Sequence, residues 1–225
     1  METVENIFNY GNLEQTNIIK SVQVDWKHHT HGIMNLIRAK EPNYKLTDTH
    51  KEILNYLLQY FTGSNKFPDS LNKGLWVVGN VGSGKTLLFE VFKQYTGEVI
   101  RNNSFNYYTA NEIISNCETT GTEFLKQFSD NMENNKPYPR TLYIDDCFSG
   151  SDKINHYGTV KNVIEQVIEL RYNVFKRYRK LTHISTNVLP GDVADLFVDS
   201  DRLSSRMEEM FNKIKLDSND WRTFK

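Results

Sequence analysis

Gly79-Asn80-Val81-Gly82-Ser83-Gly84-Lys85-Thr86 matches the pattern G-x-x-x-x-G-K-[ST] at every fixed position. Glycines at these places let successive backbone N–H groups turn inward around a phosphate. A helix opening at the end of such a loop adds its positive N-terminal end. Lys85 is expected on the β and γ phosphates of ATP, and the Thr86 hydroxyl on Mg²⁺. The apolar run Gly74–Val78 reads as the strand before the loop, and Thr86–Tyr95 as the helix after it. A glycine-rich turn that matches by accident is the bland alternative, and this strand–loop–helix context argues against it. The candidate nucleotide site therefore runs from Gly79 to Leu87.

Hydrolysis of a bound triphosphate also needs a metal anchor and a group that orients the attacking water. Leu142-Tyr143-Ile144-Asp145-Asp146 is an apolar strand ending in acids. Asp145 would hold Mg²⁺, directly or through water, and Asp146 would polarise the nucleophile. An Asp serving as a helix cap is the structural alternative. Thr182-His183-Ile184-Ser185-Thr186-Asn187 brings polar residues to the end of another strand. Asn187 could face the same water, or could be a turn residue before Leu189-Pro190-Gly191. Arg202 and Arg206 stand four residues apart on an expected helix and project together. An arginine near a γ-phosphate stabilises transition-state charge. A surface arginine paired with Glu209 or Asp201 is the plainer reading.

The elements that must carry these residues alternate strand and helix. Expected strands are Gly74–Val78, Ser104–Tyr108, Thr141–Ile144, Leu181–Ser185 and Lys213–Leu216. Expected helices are Thr86–Tyr95, one opened by the capping box Thr109–Glu112, Tyr157–Arg179 and Ser200–Phe211. Such alternation predicts a mainly parallel sheet covered on both faces, an α/β domain. A helix carrying Ile53, Leu54, Leu57, Leu58 and Phe61 precedes the turn-rich stretch 62–70. Thr47, Asp48 and Thr49 offer its cap, with Glu52 three residues after Thr49. Residues 1–45 hint at one or two helices.

With 225 residues and 38% hydrophobic side chains the chain can bury the core of one such domain plus a short extension. A net charge of −1 excludes a polycation, so any nucleic-acid contact must be local. The segment 171–180 holds five basic residues and no acid, which suits a helix C-terminus as well as a DNA backbone. Cys117 and Cys147 suggest neither a disulfide framework nor a metal knuckle. His28, His29 and His31 lack the cysteine or acidic company of a metal site. The acidic, polar N-terminus is unlike a secretory signal, and no run approaches the ~20 apolar residues that span a bilayer. A soluble, cytoplasmic protein is expected, without membrane contact.

Taken together these motifs resemble AAA+ ATPases, and within them the DnaC/IstB group of helicase loaders and transposition helpers. The resemblance rests on the P-loop, Leu142-Tyr-Ile-Asp-Asp146, Ser185-Thr-Asn187, Arg202-x-x-x-Arg206, Ile168-Glu-Leu-Arg-Tyr172, Arg206-Met-Glu-Glu-Met-Phe-Asn-Lys-Ile214 and Asp220-Trp-Arg222, and covers about residues 46 to 222. It implies a three-layer αβα P-loop NTPase over residues 46–225 with no C-terminal lid. A small helical extension, residues 1–45, would contact a partner. It implies an ATP site shared between copies in a homo-oligomer that assembles on ATP and DNA. Arg206 would be the finger reaching the neighbouring site, and Arg222 would act on the chain's own γ-phosphate. Single-stranded DNA and a replicative helicase are the implied partners, or a transposase if the chain is the transposition helper. The chain departs from the group's usual pattern at Cys147-Phe148-Ser149-Gly150 and at Val198-Asp199-Ser200. The first departure motivates another possibility, a nucleotide-gated scaffold with little turnover; a small-molecule P-loop kinase is a further one.

Overall fold

A computed structural model of the chain describes residues 26–44, 46–100, 104–129, 139–149, 153–156, 159–193 and 200–216. The helices are α1 (Trp26–Lys40), α2 (Asp48–Phe61), α3 (Lys85–Tyr95), α4 (Ala110–Thr120), α5 (Val163–Tyr178), α6 (Pro190–Val193) and α7 (Ser200–Met210). The strands are β1 (Gly74–Gly79), β2 (Asn106–Thr109), β3 (Leu142–Cys147), β4 (Lys153–His156), β5 (Thr159–Asn162), β6 (Thr182–Thr186) and β7 (Phe211–Leu216). Five strands form one sheet in the order β2-β3-β6-β1-β7. Every pairing in it is parallel.

Alternation along the strands supplies the three layers. In β1, Trp76 and Val78 face a core shared with α4, α5 and α7. Leu75 and Val77 face the opposite core, shared with α1, α2 and α3. In β3 the same division sends Leu142 and Ile144 one way and Tyr143 the other. Both faces of the sheet are thus buried, which is why its strands read as continuous apolar runs. Helix α1, on the N-terminal side of the expected boundary at residue 45, contributes Ile33 and Ile37 to the same core as α2 and α3. Gly32 lets it approach: a Cβ there would meet the Tyr95 ring at 2.9 Å.

Local chemistry explains most element ends. The Thr109 hydroxyl accepts from Glu112 N, and Glu112 returns a carboxylate to Thr109 N, so the expected capping box forms. At α2 the cap is Thr47, which accepts from His50 N, rather than the Thr49–Glu52 pairing that the spacing offered. The long helix expected from Tyr157 starts later, at Val163. Asn162 caps it by accepting from Glu165 N at 3.0 Å. Residues 159–162, including Val160 from the expected apolar stripe, instead pair antiparallel with β4. β-branched Thr159 and Val160 favour that extended backbone. Residues 1–25 and Asp220-Trp221-Arg222 lie outside the described residues.

The centre of the sheet holds a histidine. His183 on β6 is 1% exposed and sits among the rings of Tyr60, Phe61, Phe89 and Phe105. Its Nδ1 accepts from Leu75 N at 3.1 Å, which requires the ring to be neutral on that nitrogen. Burial, and secondarily the Arg171 charge, push its pKa down to about 3. The unfolded chain therefore binds a proton that the folded one refuses between pH 6.5 and about 3, and stability falls as pH drops through that window. The wild type is expected to lose about 2 kcal/mol more than His183→Asn between pH 7 and 5, from this group alone. Urea unfolding of both proteins at the two pH values measures it; parallel pH profiles would reject a neutral buried His183.

Candidate nucleotide and metal site

The candidate phosphate loop sits where β1 ends and α3 begins. Gly82 has φ 78° and Gly84 φ 92°, a left-handed backbone that a side chain would strain. Gly79 is required for a different reason. A Cβ there would lie 2.6 Å from Leu216 O of the neighbouring β7 and 2.9 Å from Ser83 Oγ. The first-turn N–H groups of α3 have no helical acceptor and point from the helix start into the loop. Ser83 is fully buried, while Val81 at the loop tip is 66% exposed. The loop Asn80–Gly84 thus runs straight into the first turn of α3, whose Leu87 is already packed in the core behind it.

Lys85 is 7% exposed. Its Nζ donates to Gly79 O at 2.8 Å, to Asn80 O at 3.0 Å and to Asn187 Oδ1 at 2.6 Å. Asn187 in turn donates through Nδ2 to Asp146 Oδ1 at 3.0 Å. Thr86 Oγ1 donates to Asp145 Oδ2 at 2.7 Å. The loop, both acids and Asn187 therefore form one connected set at the carboxyl ends of β1, β3 and β6, the edge where parallel sheets bind ligands.

Two consecutive acids in a regular strand would point to opposite faces. Here β3 shifts register against β6 between Ile144 and Cys147. Asp146 adopts φ 56° and donates its N–H to Ser185 Oγ at 3.1 Å. That irregularity brings the Asp146 carboxylate to Asn187 while Asp145, 5% exposed, stays at Thr86. Hard oxygen donors side by side, a hydroxyl and a carboxylate at a helix start, fit Mg²⁺ shared with substrate phosphates. Among the described residues no cluster of three or more His, Cys, Asp and Glu offers an all-protein metal cage, the histidines of α1 included.

Three further residues meet Asp145. Tyr143 OH donates to Oδ1 at 2.6 Å, Ser185 Oγ donates to the same oxygen, and Tyr107 OH donates to Oδ2 at 3.0 Å. Burial first, and then the Asp145 charge, raise the pKa of both phenols, which keeps them protonated as donors. The sequence gives no sign of this role for the tyrosines, because neither stands in a motif that names it. Only the register, which sets Tyr107 beside Tyr143, points both hydroxyls at one carboxylate.

The expected arginines lie apart from this set within the chain. Arg206 donates to Glu169 Oε1 of α5 at 2.8 Å, with its guanidinium 4.8 Å from the Tyr172 ring centroid. Glu209, suggested as its partner by spacing, pairs instead with Lys176 and Tyr172. Arg202 is exposed. The basic stretch 171–180 is not a continuous patch. Arg171 is 2% exposed and donates to Thr182 Oγ1, Arg140 O and Leu181 O, inside the fold. Burial lowers its pKa to about 10.

Solved structures share this architecture. DnaI superposes with a TM-score of 0.55 at 18% identity, over 83% of this chain and 92% of that one. The DnaC helicase loader does so at 0.50 and 19%, over 79% and 95%. The replication initiator DnaA, bound to AMPPCP and single-stranded DNA, does so at 0.51 and 18%, over 79% of this chain and 49% of that one. No family model matches the sequence, and neither does any curated protein. At these identities the likeness shows the fold alone, an α/β domain with a parallel sheet covered by helices. Among the described residues no helix is long and apolar enough to cross a membrane.

The left-handed backbone at Asp146 has a measurable cost. Asparagine tolerates that region as aspartate does, whereas a β-branched residue does not. Asp146→Asn is expected to keep stability within about 0.5 kcal/mol, and Asp146→Val to lose on the order of 1–3 kcal/mol. Urea denaturation compares them; equal stability of the two variants would show that the backbone is unstrained.

Proposed function

We propose that this chain is an ATPase of the helicase-loader type. It binds ATP with magnesium along Gly79–Leu87, hydrolyses it between subunits, and acts on single-stranded DNA as the partner of a replicative helicase. The observation that carries the reading is the hydrogen-bonded set Thr86–Asp145 and Lys85–Asn187–Asp146 at one sheet edge. A triphosphate needs this combination of cation, metal ligands and water-facing acid, and a bare phosphate-binding loop does not supply it. The DnaC helicase loader and the DnaA complex with AMPPCP and single-stranded DNA, which have the same fold, support the choice of partners.

In this reading Lys85 turns from its own loop carbonyls to the β and γ phosphates. Thr86 and Asp145 hold magnesium, which when bound neutralises phosphate charge. Asp146 accepts a hydrogen bond from the attacking water and draws its proton away, and Asn187 fixes that carboxylate from the side. Arg206 leaves Glu169 to reach the neighbouring subunit's γ-phosphate. The side chains of that pair are 17% and 43% exposed. Its opening therefore costs little, on the order of 1 kcal/mol. Arg222 acts on the chain's own γ-phosphate, and residues 1–45 meet the helicase.

The segment Asp146-Cys147-Phe148 favours a second reading. Asp146 and Phe148 both have positive φ, at 56° and 65°, and no further acid follows Asp146 within the strand. A site so built could bind ATP tightly and turn it over slowly, as a nucleotide-gated scaffold. Multiple-turnover assays with and without single-stranded DNA separate the two.

Lys85→Ala is expected to abolish hydrolysis; turnover at the wild-type rate would reject the site. Arg206→Ala is expected to bind ATP normally and to lose hydrolysis by roughly 10³-fold or more. Mixing the two variants should restore part of the activity, because a Lys85 site can then face an Arg206 neighbour. A mixture as inactive as its components would reject a shared site.

A further inference from the structure

Asp145 is surrounded by more donors than a metal-facing carboxylate requires. An ionised carboxylate has about four acceptor positions. Here four hydroxyls address it, two on each oxygen. Oδ1 takes Tyr143 OH at 2.6 Å and Ser185 Oγ, and Oδ2 takes Thr86 Oγ1 at 2.7 Å and Tyr107 OH at 3.0 Å. Tyr143 and Ser185 are both fully buried. They therefore act from inside the protein and leave Oδ2 as the oxygen beside the phosphate loop.

The scaffold holding these hydroxyls is built from paired strands and stacked rings. Tyr143 stands two residues before Asp145 on the same face of β3, and Tyr107 pairs with it across the β2–β3 ladder. The two rings lie 5.2 Å apart. The Tyr143 ring stacks on Phe89 of α3 at 3.9 Å and 11°, so its hydroxyl cannot swing away. Lys93 Nζ lies 5.3 Å from the Tyr107 centroid on the outer side. Ser185 Oγ also accepts Asp146 N, so one hydroxyl ties the orientation of Asp145 to the backbone bend that aims Asp146.

We infer that Tyr143, Ser185 and Tyr107 are positioning residues that set the magnesium affinity of this site by fixing the plane of the Asp145 carboxylate. The inference rests on the nucleotide-binding reading above. A carboxylate free to rotate about its Cβ–Cγ bond must be ordered when the metal binds. One already held by buried donors meets the metal in place. Partners that orient a ligand in this way change metal affinity by roughly 10–100-fold when removed.

Tyr143→Phe and Tyr107→Phe delete one hydroxyl each and keep the ring. Ser185→Ala removes the third donor and provides a further variant should Tyr143→Phe unfold. Metal affinity is read with Mn²⁺ as the probe, by electron paramagnetic resonance titration of the ADP-bound protein. Nucleotide affinity is read separately in EDTA. Each variant is expected to bind Mn²⁺ at least 10-fold more weakly, with metal-free ADP affinity within about twofold of the wild type. Mn²⁺ affinity unchanged in the folded variants would overturn the inference. So would equal weakening of ADP with and without metal, since a merely structural role predicts that. A wild type with no metal-dependent nucleotide binding at all would overturn the nucleotide-site reading as well. Normal wild-type binding with unchanged variants overturns the inference alone.

Discussion

A negative charge 5% exposed at the end of a central strand is the constraint around which this fold is arranged. Removing a carboxylate from water costs several kcal/mol unless hydrogen bonds replace the lost hydration. Asp145 receives them from β2, β3, β6 and the first turn of α3. Those elements can converge only if β3 lies between β2 and β6 and the phosphate loop lies beyond β6 on β1. The observed strand order meets that requirement. Hydrogen bonds to a charged group contribute roughly 1.5–3 kcal/mol each when their partners are buried. The same contacts that make the acid tolerable therefore also lock the sheet edge together.

From this anchor the rest of the site follows by short steps. Ser185 links the carboxylate to the Asp146 backbone, whose left-handed turn redirects the second acid towards Asn187. Asn187 then reaches Lys85, and the lysine folds back on the carbonyls of its own loop. The loop in turn is pressed against β7, where Leu216 leaves no room for a Cβ at Gly79. Each residue is held by a neighbour from a different element, so small shifts in the sheet would be felt at the phosphate loop.

Helix α5 ties the starts of β3 and β6 to α7. Its buried Arg171 binds the carbonyls of Arg140 and Leu181 and the hydroxyl of Thr182, at the edge where β3 and β6 begin. Two residues away Glu169 holds Arg206 on α7, and Tyr172 lies beneath that guanidinium. The arginine that the resemblance assigns to a neighbouring subunit is thus stored on a partly exposed ion pair, not buried in one.

Most of what neighbours along the chain encode was legible in the sequence, the Thr49–Glu52 cap and the start of α5 excepted. The candidate phosphate loop is contiguous, and the roles expected of its glycines, lysine and threonine rest on spacing alone. The Thr109 capping box, the apolar strand running into Asp145 and Asp146, and the strand–helix alternation that implied a parallel sheet are of the same kind. Contacts between distant segments were decided only by the tertiary structure. Thr86, Tyr107 and Ser185 lie 59, 38 and 40 positions from Asp145, and no local pattern marks them as its donors. Glu169 took Arg206 from 37 positions away, where helix spacing offered Glu209. The start of α5 moved to Val163 because Asn162 caps it and the residues before it found a strand partner in β4. Periodicity reports which face of an element is buried. Which elements come to lie beside one another depends on strand order and register, and these arise only when the whole sheet closes over its two cores.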